Sequence, residues 1–459
     1  MRLSVLSIAL LLSACAVIPD APSDMAGIAL PEQWQVVEKN NTAYILPAHW
    51  WEVFNDDDLS ALINHALENN SSLEKATYSL QQSLLQLDMA TADMLPSVSA
   101  SGSVGARKPL NSGNEKWSKS YSSSANVSFQ LDLFGKLLKM RDVRKWLAQA
   151  SAEDKQQIAI AVTTQVADLY WQLGSLNQKI ALSQQNLSNS QKQLEFVHLK
   201  YKHGALAQMD VLSSEQDFRQ QQNSLNSLEL RATQLRHALS VLVGQMPEAP
   251  INEPKSLPEK FYIPDLKVNL PSEVLDNRPD IRASRMRLMS DMANVSVKVR
   301  DFFPSIDLGA GVSTGGSELA KILSDPVGSL SLRLALPILN VPDNILNLKV
   351  SQIQYRSDLA DYRNKLYNAL SEVEDAYAQY NQLNKQHALM SENLIAARKL
   401  ERMREVRYEN GADDLDKLLS ARKNTRTIEQ NMIDTELSLY QNFLARYTAL
   451  GGSDVLDKQ

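Results

Sequence analysis

The stretch that decides the fold is Leu95-Pro96-Ser97-Val98-Ser99-Ala100-Ser101-Gly102-Ser103-Val104-Gly105-Ala106-Arg107, answered after a short loop by Tyr121-Ser122-Ser123-Ser124-Ala125-Asn126-Val127-Ser128-Phe129-Gln130-Leu131-Asp132-Leu133. In the first segment Val98, Ala100, Gly102, Val104 and Ala106 alternate with serines; in the second Ala125, Val127, Phe129, Leu131 and Leu133 alternate with Ser124, Asn126, Ser128, Gln130 and Asp132. Side chains leave a strand on opposite faces with a period of two, so each segment offers one apolar face and one hydroxyl-rich face. A second version follows Phe303-Pro304-Ser305: Ile306, Leu308, Ala310 and Val312 stand against Asp307 and Ser313, then Leu330, Leu332, Leu334 and Leu336 against Ser331 and Arg333. The expected strands are about 97–106, 121–133, 305–313 and 328–337, four per chain.

Alternation also describes a half-buried strand of a soluble sandwich, and the membrane signal of any one strand is weak. The flanks separate the two readings, because each hairpin lies between very long helical segments that offer no second sheet to cover its apolar face. Lipid is the simpler cover. Trp117 and Tyr121 beside the loop fit an interfacial aromatic girdle.

Working outward, a helix from about Asp58 to Met94 is stopped by Pro96, and a helix from about Ser272 by Pro304. After Phe134-Gly135 no proline occurs until Pro247, and Leu173, Ile180, Leu187, Leu194 and Tyr201 recur every seventh position, with Leu176 and Val197 at the intervening position, as in a coiled-coil seam. The span from Lys136 to His203 is roughly 68 residues, which as one helix reaches on the order of 100 Å. Gly204 ends it, and a second helix runs from about Gln208 to Val243. Tyr408-Glu409-Asn410-Gly411 corresponds to Tyr201-Lys202-His203-Gly204, with helices from about Ile345 to Asn410 and Asp413 to Leu450 on either side. The repeating unit is helix, strand, strand, helix, helix. The expected division is a signal peptide 1–14, a lipidated extended leader 15–57, a first repeat 58–246, a proline-rich equatorial connection 247–271, a second repeat 272–450 and a tail 451–459.

At 459 residues, 44% hydrophobic and 22% charged, the chain can bury a large core. Its formal charge of -6 gives no basic footprint for nucleic acid. The apolar run from Val5 to Leu12 is too short to span a membrane as a helix and suits a signal peptide. It ends in Leu12-Ser13-Ala14-Cys15, and Cys15 is the only cysteine, which excludes an intrachain disulfide. Neither H-E-x-x-H nor a phosphate-binding glycine loop occurs, and the string Gly311-Val312-Ser313-Thr314-Gly315 overlaps the end of an expected strand, so the reading is a passive conduit and not an enzyme, with neither metal site nor cofactor. The six histidines are scattered, and Met286, Met289 and Met292 read as a packing stripe before they read as soft metal ligands.

Leu12-Ser13-Ala14-Cys15 resembles the bacterial lipobox, in which the cysteine carries lipid. Together with Trp50-Trp51-Glu52-Val53-Phe54, Asn277-Arg278-Pro279-Asp280-Ile281 and the two Tyr-x-x-Gly corners, the chain resembles the TolC superfamily, in its lipoprotein branch of OprM-like, CusC-like and NodT-like efflux proteins. The resemblance implies an α+β membrane protein of a Gram-negative outer membrane: a homotrimer with a 12-stranded β-barrel continued by a long periplasmic α-helical barrel and an irregular equatorial belt. It implies an exit duct for small molecules in a tripartite efflux pump, with a periplasmic adaptor and an inner-membrane pump of the RND type as partners. Physics supports part of this, since an open sheet edge is not tolerated in lipid and four strands are too few to close. Two chains or three would serve, and the choice of three comes from the resemblance.

The resemblance also implies closure of the periplasmic end by helix ends and acidic rings, with Asp210, Tyr201, Tyr408, Asp413, Asp414 and Asp416 as candidate gate residues. Of these, Asp210 and Tyr408 match the TolC pattern. Asp413 stands where that pattern has an arginine, and Lys417 and Ser420 stand where it has aspartates. N-capping of a helix is the competing reading of Asp413 and Asp414. A type I protein-secretion duct and a non-conducting trimeric lipoprotein scaffold or adhesin remain as alternative functions.

Overall fold

Small apolar and hydroxyl side chains in alternation favour extended backbone whose cross-strand neighbours match. In the computed structural model they form one antiparallel sheet of order β1-β2-β3-β4. The structure describes residues 31, 33–35, 48–109, 116–258, 266, 271–321, 324–337, 340–453 and 455–456. The signal segment, Cys15, most of the leader and parts of the 247–271 connection and the tail lie outside these residues.

After a 3-10 turn at Trp50–Phe54, the elements are α1 (Asp57–Asn69), α2 (Ser71–Ala92), β1 (Ser97–Arg107), β2 (Ser118–Leu131), α3 (Lys136–Lys202), α4 (Gln208–Leu242), α5 (Pro271–Asn277), α6 (Pro279–Arg300), β3 (Ser305–Gly316), β4 (Val327–Ala335), α7 (Val341–Glu409) and α8 (Leu415–Ala449). The single helix expected over 58–94 is two helices. Asn70 breaks it with extended backbone, its side chain accepting from Ser72 N at 2.9 Å and Leu73 N at 3.1 Å, which caps α2, while its amide donates to Leu242 O at 2.7 Å. No helix among the described residues is long and apolar enough to cross a membrane.

Two compact units divide the chain, and both draw on both repeats. One holds the sheet, with Tyr78–Glu153 and Arg282–Lys365. Its register lines up faces as well as strands: Val98, Val127, Ala310 and Leu330 form one row, and Phe129, Leu308 and Leu332 another. Leu330 is 89% and Val98 75% exposed, so this unit covers neither. The opposite face is a hydroxyl ladder in which Ser97 and Ser128, Ser101 and Ser124, and Ser103 and Ser122 pair at 2.7, 2.9 and 2.8 Å.

Strand β2 starts earlier and stops earlier than its alternation suggests. Asp132, expected on the polar face, instead caps α3: its two carboxylate oxygens accept from Leu137 N at 3.0 Å and Leu138 N at 2.9 Å. The strand-to-helix junction is clamped by Phe134 stacked on Phe303 at 4.7 Å and by Arg300 Nε donating to Phe134 O at 2.8 Å.

The other unit holds Leu30–Thr77, Asp154–Ile281 and Leu366–Gln459. Its core explains the Trp50-Trp51 motif: Trp50, Phe54, Trp171, Tyr440, Phe443 and Tyr447 pack ring on ring, with Phe54 and Trp171 centred 5.0 Å apart and Trp171 and Tyr440 4.9 Å. The proline-rich connection lies against α3 at Gly174, where a Cβ would stand 2.8 Å from Ser256 O, so only glycine admits this approach. Arg278 explains the Asn-Arg-Pro-Asp motif. Buried, it holds Asp280 through Nε and Nη2 at 3.0 and 2.9 Å, Glu372 at 2.6 Å and the end of α8 through Ala449 O at 3.2 Å.

The heptad line on α3 is only partly a seam within the chain. Leu173 is fully buried, but Leu187 and Leu194 are half-covered and Tyr201 is exposed, whereas Leu176, Ser183, Ser190 and Val197 are buried at the same seven-residue spacing. Leu176 and Val197 belong to the expected intervening position, and Ser183 and Ser190 complete that buried line, which an apolar-periodicity reading does not register.

Candidate functional site at the helix corners

Each long hairpin turns on glycine. Gly204 and Gly411 have φ of +73° and +70° with nothing near a notional Cβ, so backbone conformation alone requires them. The same closing bonds recur, Ala205 N to Lys200 O at 2.9 Å and Ala412 N to Arg407 O at 2.8 Å. Laying Gly204 on Gly411 also puts Tyr201 on Tyr408, Leu206 on Asp413, Ala207 on Asp414 and Asp210 on Lys417.

These substitutions set the electrostatics. At the first corner Asp210 accepts from Ala207 N at 2.9 Å at the start of α4, and Leu206 packs on a small core of Val197, Val211, Tyr408, Leu415 and Leu418. At the second corner Asp413 takes the place of Leu206, and cations cover its carboxylate. Arg404 Nη1 and Arg407 Nε donate to Oδ2 at 2.8 and 2.9 Å, and Lys417 Nζ to Oδ1 at 3.4 Å. These donors, Arg404 foremost, hold the Asp413 carboxyl down to a pKa of about 2. Asp414 occupies the N-cap position of α8 without a side-chain capping bond, and its carboxylate is exposed beside Lys417 at 3.8 Å. Asp416 is exposed in the first turn of α8.

The two tyrosines differ. Tyr201 is 45% exposed, whereas Tyr408 is 5% exposed and its hydroxyl finds no hydrogen-bond partner among the described residues. Burial pushes its phenol pKa up, with the nearby Gln193 amide acting the other way. Lys200 Nζ sits 4.9 Å from the Tyr408 ring centre, a cation-π contact that ties α3 to α7. Above the corner, a groove of about 730 Å³ is lined by Gln193, Phe196, Arg402, Tyr408 and Arg422, with Arg422 bound to Glu405 at 2.5 Å. Among the described residues no cluster of His, Cys, Asp or Glu could hold a metal ion, and Met286, Met289 and Met292 are half-buried along α6.

One group escaped the sequence reading. Asp291 on α6 and Asp358 on α7 come close enough to share a hydrogen bond, and burial followed by the Asp358 carboxylate raises the Asp291 pKa to about 7. Neither residue lies in a motif, so only packing brings them together.

The model of the family "Outer membrane efflux protein" matches residues 62–245 and 270–452. The cation efflux system protein CusC of Escherichia coli (strain K12) is 28% identical over 457 residues, covering 97% of this chain and 98% of that protein. A solved structure of CusC superposes with a TM-score of 0.81 at 26% identity, covering 93% of this chain and 99% of that one. The toxin and drug export protein A of Aggregatibacter actinomycetemcomitans is 25% identical over 447 residues, covering 97% of this chain and 96% of that protein. The outer-membrane channel OprN superposes with a TM-score of 0.82 at 25% identity, covering 90% of this chain and 94% of that one. The chain therefore belongs to the outer membrane efflux protein family and serves as an efflux duct of the outer membrane.

Proposed function

We propose that three copies close a 12-stranded barrel, β4 of one copy pairing with β1 of the next, and that the helical hairpins of the trimer form a periplasmic tunnel. The observation that carries this is the sheet itself. The row Val98, Val127, Ala310 and Leu330 runs unbroken across four strands whose outer two, β1 and β4, each have one neighbour among the described residues, and lipid cannot satisfy an open edge. The duct is passive, and a periplasmic adaptor joins it to an inner-membrane pump of the RND type. Leu199, Met209, Leu212, Met403 and Val406 are exposed at or near the corner end and suit contacts with neighbouring copies or the adaptor. Acylated Cys15 adds a second, weaker attachment.

The mouth lies at the corners. Asp413 is neutralised within its own chain, so the proposed acidic ring consists of Asp210, Asp414 and Asp416 from each copy and favours cations. The cargo is small solutes, a reading consistent with the names of the relatives, which include a cation efflux protein and a toxin and drug export protein. The second name also supports a protein-export reading. Conductance in planar bilayers tests the proposal: an SDS-resistant trimer should form cation-selective channels, and Asp210→Asn with Asp414→Asn and Asp416→Asn should weaken that selectivity. A trimer without conductance would favour a scaffold, and unchanged selectivity in the triple variant would move the mouth elsewhere.

A further inference from the structure

The two hairpin ends differ in a way that closing a barrel does not require. In the β1–β2 register Ala106 faces Lys119 and Val104 faces Tyr121. By strand alternation Lys119 and Tyr121 therefore share the face of Val98 and Val127, the apolar face, while Arg107, opposite Ser118, falls on the serine face. Trp117 is 64% exposed two residues before Lys119, and Lys108 and Lys116 flank the strand ends, both exposed. The apolar face thus ends in Tyr121, Lys119 and Trp117 in turn, with Lys108 and Lys116 beside them.

Among the described residues the other hairpin ends differently. The corresponding positions on the apolar face near the ends of β3 and β4 are Thr314, Gly316 and Gly328, and Glu318, Lys321 and Asp325 follow in the turn, with no aromatic residue among the described ones. Lysine and aromatic side chains anchor any membrane protein at an interface, but general anchoring would treat the two hairpins alike. Helices α3, α6 and α7 adjoin the opposite strand ends, so in an outer-membrane protein with a periplasmic helical extension the hairpin ends meet the outer leaflet. That leaflet is built of phosphorylated glycolipid.

We propose that the outward face of the β1–β2 hairpin end binds the phosphate groups of the outer-leaflet glycolipid, with Lys119 and Lys108 pairing the phosphates and Tyr121 and Trp117 flanking Lys119 on either side along the strand. Lysine serves phosphate as a point charge and needs no fixed fork geometry. The inference rests on the sheet being the membrane segment.

The test uses the full-length protein reconstituted into phosphatidylethanolamine vesicles containing either phosphorylated lipid A or the same lipid A with its phosphates removed. Native mass spectrometry of the extracted protein reads retained glycolipid, and a carbonate wash reads insertion. The expected result is retention of the phosphorylated lipid only, with Lys119→Ser and Lys108→Ser each lowering it about five-fold and Arg107→Ser, on the other face, leaving it unchanged. Equal retention of the dephosphorylated lipid, or equal loss in the Arg107 variant, would overturn the inference while leaving the membrane sheet intact. Release of the wild-type protein by carbonate would overturn the membrane reading, and the inference with it.

Discussion

The guanidinium Nε of Arg407 donates to Oδ2 of Asp413 at 2.9 Å, so the acid nearest the second glycine corner is committed to its own chain. With Arg404 and Lys417 it forms an ion network where the first corner has Leu206. The Asp413 carboxyl is held at about 2, below its ordinary value. Its contribution to corner stability is therefore complete above the ordinary carboxylate range and is lost only as pH falls through about 2. We expect the corner to show no titration by this group between about pH 5 and 8. Asp413→Asn should take this carboxylate from Arg404 and Arg407, leave Lys417 only Asp414, and speed hydrogen exchange over 404–417; unchanged exchange would show that the network is ornamental.

Asp291 carries the opposite sign. Its pKa is raised to about 7, so the folded state holds a proton that the unfolded chain releases, and the associated stability is full at low pH and lost as pH rises from the ordinary carboxylate range through about 7. Asp291→Asn should remove this dependence and raise the melting temperature near neutral pH more than at pH 5. A variant whose pH profile parallels that of the parent would assign the dependence to other groups.

Arg278 ties α6 to the end of α8 from a buried position. Arg278→Met removes one partner each of Asp280 and Glu372, whose carboxylates keep access to solvent, and cuts the bond to Ala449 O, which should lower the thermal midpoint. Lysine should not rescue it, because a point charge cannot hold Asp280 through two parallel bonds.

Val127 and Leu332 lie in rows of the apolar face, Ser128 and Ser331 on the hydroxyl face. Val127→Arg or Leu332→Arg should cost roughly 2–4 kcal/mol near the bilayer midplane and impair assembly. Ser128→Arg and Ser331→Lys should assemble and shift ion selectivity. Similar defects in both sets would invert the assigned facing.

The sequence by itself determined what local rules govern. Period-two alternation located four strands, proline and glycine marked their flanks and the corners, and the recurrence of Tyr-x-x-Gly exposed the repeat. Residue type and spacing suffice for these because backbone dihedrals and face alternation are properties of the neighbouring chain. Tertiary structure alone decided the rest. Asn70 broke a helix that looked continuous because its side chain could cap α2 and reach Leu242 O across 172 residues. Asp132 left the strand face because the amides of α3 came within reach. Asp413 is paired within its own chain because folding brought Arg404 and Arg407 onto it. Charges and hydrogen bonds act over a few ångströms whatever the separation along the chain, so the partner of a polar group is known only once the chain is folded.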